Sequence, residues 1–287
     1  MSHLPKNAPL PLSAPPDAGD ACLAPLLASP FARAWRQPPG AGAAALRGRL
    51  LCRLAASRQA EAAMVTARRR RRRLETLAPG AQVQTLYVAQ PGTPRRPGEP
   101  LRVRLIELSA GARLRPEDLG ADAAGRHREW LVLSGSARLG AAVLALRDYH
   151  VTPAGHAGPG WATEAGVTLF LRESDVAASA DDRPFTVLDA DAGWPAFVPG
   201  IQRRVLWQRD GQAALLYYAQ PGVQLPHHIH GHDEECLMVQ GELFLDDVLL
   251  QPGDYQLAPA GSGHRLTETD TGVVIYAHGD VDLRFVA

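Results

Sequence analysis

The feature that most restricts the possible folds of this chain is an internal repeat. The segment REWLVLSGSARLGAAVLALRDYHVTPAG at residues 128–155 aligns without a gap with EECLMVQGELFLDDVLLQPGDYQLAPAG at residues 234–261. A constant offset of 106 residues places Glu129 on Glu235. A run of identities at one offset indicates a duplicated domain. The same offset pairs Gly135 with Gly241, Asp148 with Asp254 and Tyr149 with Tyr255.

Each copy is built from short apolar runs that glycine and proline interrupt. LRVRLIEL, EWLVLSG and VTLFLRES belong to the first copy, and QAALLYYAQPG, CLMVQGELFLDD and GVVIYAHGD belong to the second. Many short runs at regular spacing, with almost no helical pattern, are typical of sandwiches and jelly rolls. We therefore predict a mainly β fold with two tandem jelly-roll domains and a short N-terminal helical segment.

Composition divides the chain into four parts. Residues 1–42 are rich in proline and alanine, and we expect them to be poorly ordered. Residues 43–75 predict a helical lead-in that ends in a run of arginines. The first β domain is predicted at 76–175 and the second at 183–287, with the polar linker SDVAASADDRP between them.

Charge and cysteine content limit the possible partners and compartment. The formal net charge is zero, so we expect neither nucleic acid nor an anionic membrane as a partner. Arginines 68–73 are best explained as a solvated segment, because no aromatic residues are interleaved with them. Three scattered cysteines are too few for a disulfide framework, and no apolar stretch approaches the roughly 18 residues of a membrane span. We predict a soluble, cytoplasmic protein that forms a homo-oligomer.

The stretch LPHHIHGHDEECLMVQGELF at residues 225–244 concentrates side chains of the kinds that bind metals. Because side chains alternate along a strand, His228 and His230 should point to one face. Glu234 would enter the next strand beside them, and a Pro-Ala-Gly turn would bring His264 to the same end of the domain. The spacings are Gly222-x5-His228-x-His230-x3-Glu234-x6-Gly241 and Gly253-x5-Pro259-x-Gly261-x2-His264.

These two spacings resemble the signature motifs of the cupin superfamily, which implies a double-stranded β-helix in each copy. In the second motif, Glu268 stands where the family pattern has a final asparagine. One sequence segment is similar to the cupin domain of ChrR-type anti-sigma factors: HHIHGHDEECLMVQGELFLDDVLLQPGDYQLAPAGSGH. That resemblance implies a metal site and a part in a stress response that releases a sigma factor. The zinc module with which those proteins bind the sigma factor is not matched, since Cys22 and Cys52 lie 30 residues apart.

Three imidazoles and one carboxylate suit a divalent transition metal, and the residues alone leave zinc, iron, manganese and nickel open. An octahedral metal would keep two positions free for water, dioxygen or a substrate. A closed tetrahedral site would be structural or sensory. The positions equivalent to the four ligands in the first copy are Asp122, Ala124, Arg128 and Gly158, so we expect one metal per chain.

Two classes of function remain open from the sequence. The first is a regulatory or sensory metal-binding protein, whose partner would be a sigma factor or another regulatory protein. The second is an enzyme, a non-haem metal-dependent dioxygenase acting on a small molecule, with a decarboxylase or isomerase as a weaker third hypothesis. Four further residues are candidates for pocket or ligand-supporting positions: Cys236, Tyr255, Tyr276 and His278. Cys236 is either a buried packing thiol or an oxidant-sensitive one.

Overall fold

The structure is a computed structural model that describes residues 41–71 and 73–286. The chain divides into two compact units, Met1–Ala56 and Ser57–Ala287, and the second unit holds the 24 strands of the described residues. The poorly ordered segment predicted for residues 1–42 falls almost entirely outside the described residues. No helix in the described ranges is both long enough and apolar enough to cross a membrane.

The lead-in predicted at 43–75 is helical in its first part only. Helix α1 spans Ala41–Ala63, strand β1 spans Val65–Ala67, and a 3-10 turn follows at Arg69–Arg71. Asp254 of the second barrel accepts hydrogen bonds from Arg68 Nη1 (2.9 Å) and from the backbone N–H of Arg69 (2.8 Å). These contacts give the first arginines of the run a structural role.

The first barrel is formed by nine strands of its own and one from outside the repeat. Its strands are β2 (Glu75–Ala78), β3 (Ala81–Val88), β4 (Pro100–Leu108), β5 (Arg113–Leu114), β6 (His127–Leu139), β7 (Ala142–Ala145), β8 (Tyr149–Thr152), β9 (Trp161–Ala162), β10 (Val167–Ser174) and β11 (Phe185–Val187). The order along its main sheet is β11-β8-β6-β10-β4-β3-β2, with β5, β7 and β9 completing the barrel.

The short helix α2 (Asp189–Ala192) leads into the second barrel. The strands of this barrel are β12 (Ala196–Val198), β13 (Ile201–Arg209), β14 (Gln212–Ala219), β15 (Val223–Leu225), β16 (His228–Ile229), β17 (Glu234–Gly241), β18 (Leu243–Leu245), β19 (Val248–Leu250), β20 (Tyr255–Ala258), β21 (Gly263–His264), β22 (Thr267–Thr269), β23 (Val273–Asp280) and β24 (Arg284–Phe285). A seven-stranded sheet with the order β1-β20-β17-β23-β14-β13-β12 is accompanied by the sheets β15-β22-β18-β19 and β21-β16-β24.

The structure confirms the duplication down to single irregularities. One residue is bulged out of the pairing between β6 and β10, at Leu133. The same bulge occurs between β17 and β23, at Val239, which is the equivalent residue at the repeat offset. Bulges bend and twist a strand at a set position, so the two barrels are curved in the same way.

The two barrels exchange an edge strand. Strand β1 lies before the first barrel in sequence but pairs with β20 of the second barrel, Val65 opposite Leu257. Strand β11 lies within the segment predicted as the second domain but pairs with β8 of the first, Phe185 opposite Val151. Each barrel therefore includes one edge strand that lies, in sequence, outside the segment that forms the rest of that barrel.

Three apolar clusters follow from the alternation of side chains along these strands. Trp130, Trp161 and Leu169 pack inside the first barrel, and Leu215 and Met238 pack inside the second. The residues that alternate with them face the other barrel and form a third cluster between the two. That shared cluster includes Leu131, Phe170, Leu216, Leu237 and Tyr276.

Candidate metal centre

Backbone pairing brings the four predicted ligands together at one end of the second barrel. His228 in β16 lies directly opposite His264 in β21, and cross-strand neighbours of this kind are close enough for their side chains to interact. His230 follows β16, and Glu234 is the first residue of β17. The backbone of His230 donates to Ser262 O (2.9 Å) and accepts from the N–H of Gly261 (2.8 Å), which ties the two histidine segments together.

The side chains converge as well as the backbones. The ring centroid of His230 lies 5.2 Å from that of His228 and 5.2 Å from that of His264. Glu234 Oε2 is 3.1 Å from His230 Nδ1 and 4.0 Å from His264 Nε2. One ligand atom each from His228, His230 and Glu234 lies within 4.8 Å of the others, which is compatible with one shared ion.

Neighbouring groups fix the orientation of the histidines. His228 Nδ1 lies 3.2 Å from the carbonyl oxygen of Pro226, so its Nε2 is the nitrogen left for a metal. His264 Nδ1 lies 3.8 Å from Asp246 Oδ2, with its Nε2 on the side of Glu234. For His228, the hydrogen bond at Nδ1 selects Nε2 as the metal ligand. Asp246 is held in turn by the backbone N–H of Arg265 at 2.9 Å.

The turn that joins His230 to Glu234 is clamped at the end of β23. Asp280 accepts a hydrogen bond from the N–H of Gly231 (2.5 Å), and its other carboxylate oxygen lies 2.5 Å from His232 Nδ1. Arg96 Nη1, from the first barrel, donates to Gly231 O (2.5 Å). His232 is thereby committed to Asp280 and lies outside the ligand set, as its spacing predicts.

The electrostatics of this cluster suit a bound cation. Burial lowers the pKa of His230 to about 3 and also lowers that of His228, so both rings are neutral, which is the form that binds metal. Burial raises the pKa of Glu234 to about 7. The buried Nε2 of His230 has no hydrogen-bond partner among the described residues, although such groups are normally paired. A divalent cation would satisfy that nitrogen and compensate the charge of the Glu234 carboxylate, so the residues fit a metal.

A pocket extends from the ligands into the barrel, with about 600 Å³ of empty volume including its open mouth. Its walls are mainly aliphatic, and it reaches His228, Glu234 and His264 at one end. Burial raises the pKa of the Tyr217 phenol in its wall, so that group is a neutral hydroxyl. The other aliphatic and small wall residues include Ile201, Ala219, Val223, Leu225, Leu243, Leu245, Val273, Ile275 and Ala277.

Among the predicted pocket residues, Cys236 lines this cavity on the same face of β17 as Glu234. The other three candidates for pocket or ligand-supporting positions, Tyr255, Tyr276 and His278, do not line this pocket. On β23, Ile275 and Ala277 point into the barrel, so Tyr276 and His278 point out of it towards the first barrel. Alternation along the strand is the physical reason.

Tyr255, Tyr276 and His278 belong instead to a buried polar cluster between the barrels. Its centre is Arg172 of the first barrel, whose Nε lies 2.6 Å from Glu235 and whose Nη1 lies 2.8 Å from Glu129. Both glutamates are fully buried. The remaining contacts are Tyr149 Oη to Glu129 (2.6 Å), Tyr276 Oη to Glu129 (3.0 Å), Tyr255 Oη to Glu235 (2.9 Å) and His278 Nε2 to Glu129 (3.4 Å).

Sequence reasoning missed this cluster, although the repeat carries a trace of it. Glu129 and Glu235 occupy the same position in the two copies, and so do Tyr149 and Tyr255. In each copy the tyrosine hydroxyl donates to the glutamate of its own barrel. The glutamate and the tyrosine are identical in both copies, although only the second copy has the ligand set. This favours a structural role for each glutamate–tyrosine pair over a role in the pocket of one barrel.

The first barrel carries no matching ligand set among its described residues. Arg128, equivalent to Glu234, donates to the carbonyl oxygens of His156 (2.5 Å) and Ala157 (2.9 Å). The indole rings of Trp130 and Trp161, with centroids 5.3 Å apart, fill the interior where the second barrel has its pocket. A cation and two large aromatic side chains therefore occupy the space that a metal and a small molecule would need.

Comparison with solved structures identifies the fold. A proposed dioxygenase from Nostoc punctiforme superimposes with a TM-score of 0.60 at 15% identity, covering 78% of this chain and 85% of that one. Oxalate decarboxylase from Lactobacillus farciminis gives 0.53 at 14% identity, covering 77% and 87%. A glyoxylate-induced protein proposed in Pseudomonas aeruginosa gives 0.56 at 13% identity, covering 77% and 87%. The chain is a two-barrel protein of the cupin fold.

The family of the second barrel is more specific. Residues 182–282 match the family model of the ChrR cupin-like domain. The second barrel is therefore a ChrR-like cupin domain, as the resemblance of its sequence predicts. No curated protein matches the chain.

Proposed function

We propose that the second barrel binds one divalent transition metal through His228, His230, Glu234 and His264. The observation that carries this proposal is the convergence of three buried imidazoles on one partly exposed carboxylate, that of Glu234. Such an ion would act as a Lewis acid with a net site charge of about +1. Elemental analysis should find one metal per chain, and two per chain would contradict the assignment of a single site.

Groups around the four ligands contribute to this site. The carbonyl oxygen of Pro226 orients the ring of His228, Asp246 lies 3.8 Å from Nδ1 of His264, and the walls of the adjoining pocket are mainly aliphatic. Low local polarity strengthens electrostatic interactions with anything bound there. We propose that a small molecule binds in the pocket beside the metal.

We propose a regulatory or sensory role as the first function, on the strength of the match at 182–282 to the ChrR cupin-like domain. The partner would be a sigma factor or another regulatory protein. Size-exclusion chromatography of the purified chain with each purified sigma factor of the source organism, with and without Zn²⁺, tests this. A complex whose stability depends on the metal supports the role, and failure with every sigma factor removes the anti-sigma form of it. Light scattering on the same column checks the predicted homo-oligomer.

The apolar pocket next to the ligands favours a second candidate, a metal-dependent dioxygenase. Anaerobic loading with Fe(II), followed by oxygen-uptake measurements against panels of phenols, β-diketones and thiols, tests it. Substrate-dependent uptake that Glu234→Gln abolishes supports catalysis. Uptake no greater than that of free Fe(II) rules out catalysis on those substrate classes and leaves the regulatory role.

A further inference from the structure

The pocket of the second barrel is elongated, with the predicted ligands at one end. Glu235 pairs with His278 and Cys236 with Ala277, so Glu234 is level with the last residues of β23. The pocket then follows the inward residues Ala277, Ile275 and Val273 along β23. At about 3.3 Å per residue, the distance from Ala277 to Val273 is roughly 13 Å. A bound molecule would thus extend away from the metal along the strand.

The charges around this channel disfavour an anionic body. None of the described residues that line it is an arginine or lysine, and its two charged residues are the carboxylates Glu234 and Glu268. Glu268 accepts a hydrogen bond from Gln224 (2.7 Å). Arg203 lies outside this lining, where it interacts with the Tyr217 hydroxyl, donates to Val281 O (2.6 Å) and stacks over the ring of Phe197. A carboxylate away from the metal would meet carboxylates and aliphatic walls, and an unpaired buried charge is costly.

We infer that the ligand of this pocket has an oxygen-donor head that reaches the metal and an uncharged, mainly aliphatic body that lies along β23. The inference rests on the metal site proposed above. It separates this site from one made for a small dicarboxylate, which would need a second cationic contact. The remaining polar wall groups, such as Tyr217, Thr267 and Thr269, are neutral and would tolerate an occasional carbonyl or hydroxyl on the body.

A series of alkyl hydroxamates tests the ligand class, because each compound has the same metal-binding head. The full chain is loaded with Co(II) and titrated with acetohydroxamate, butyrohydroxamate, hexanohydroxamate and octanohydroxamate, with oxalate as the anionic comparison. The visible spectrum of cobalt reports binding of the head. Affinity should rise about fourfold for each methylene that is buried, until the channel is full. Oxalate should bind no more tightly than acetohydroxamate.

A substitution in the channel locates the body. Ala219 lines the pocket beside Val273, far from the ligands, so Ala219→Leu should shorten the channel. This variant should bind cobalt and acetohydroxamate as the wild type does but lose most of the gain with chain length. Gln208→Leu, at an exposed position of β13, adds the same side chain outside the pocket and should leave the whole series unchanged.

The outcomes distinguish the inference from the proposal beneath it. If the protein fails to bind cobalt, the metal site is wrong and the ligand class falls with it. If cobalt and acetohydroxamate bind but affinity does not rise with chain length, or if oxalate is preferred, the ligand class alone is overturned. A chain-length gain that Ala219→Leu leaves intact would also overturn it, because the body would then lie elsewhere.

Discussion

Arg172→Met should destabilise the whole molecule more than any surface substitution could. Arg172 is about 1% exposed and is the cation shared by Glu129 and Glu235, both of which have no exposed side-chain surface. Its Nη2 also donates to Gly98 O at 2.6 Å. Methionine fills a similar volume without a charge, so the main effect is to leave two carboxylates buried without their shared partner.

The size of the effect follows from the burial of the pair. Removing one partner of a buried ion pair costs about 3–5 kcal/mol, because the remaining charge stays desolvated. The total stability of a protein is about 5–15 kcal/mol, so this loss is a large fraction of it. We expect the free energy of unfolding to fall by at least about 3 kcal/mol, which is the lower end of the cost given for a broken buried ion pair. Urea unfolding followed by circular dichroism, with linear extrapolation, measures it.

Two matched variants control the interpretation. Arg115→Met removes an arginine that is 64% exposed and pairs with Asp118 at 2.9 Å, and it should change the free energy of unfolding far less than Arg172→Met does. Adding Glu235→Gln to Arg172→Met should recover part of the loss, because one uncompensated charge disappears. A loss below about 1 kcal/mol for Arg172→Met, or no recovery in the double variant, would refute the argument that stranded charge dominates.

Three further predictions concern the metal site and the first barrel. Glu234→Gln should weaken metal affinity severely in a metal titration. Glu235→Gln should weaken it on the order of 10–100-fold at most, because Glu235 contacts Arg172 and Tyr255 rather than the metal site. In a variant that keeps Cys236 as its single cysteine, iodoacetamide should label the thiol in urea but not in the native protein, because burial raises the pKa of Cys236. Rapid labelling of the native protein would favour an oxidant-sensitive role. Burial lowers the pKa of His150 to about 4 from 6.5, so the unfolded chain takes up its proton first and stability falls as the pH drops from 6.5 to 4. His150→Gln should remove on the order of 1–3 kcal/mol of that fall, and an unchanged pH dependence of unfolding would contradict the assignment.

Local spacing was enough to predict the fold and to select the ligand candidates. The offset between Glu129 and Glu235 predicted two equivalent barrels, and the structure shows the same bulge in both. The spacing of His228, His230 and Glu234 placed them beside one another because a strand and a tight turn leave few alternative directions.

The sequence did not reveal what covers the outer face of each strand. Alternation correctly separates Ala277 from Tyr276, but it cannot say whether the second face meets solvent or another barrel. Tyr276 and His278 therefore lie against Glu129 of the first barrel and not in the pocket for which the sequence made them candidates. The role of Arg172 could not be predicted from the sequence either, because its partners Glu129 and Glu235 are 43 and 63 residues away in sequence.

The exchange of edge strands also has a consequence for the order in which the protein can be assembled during synthesis. A chain is made from its N-terminus, and domains generally fold as they emerge. Val65 of β1 is translated early, yet its partner Leu257 follows 192 residues later. The first barrel likewise lacks its edge strand until Phe185 has been made. At about 5–20 residues per second, β1 is made on the order of 10–40 seconds before β20, and its backbone hydrogen bonds to that strand cannot form until then.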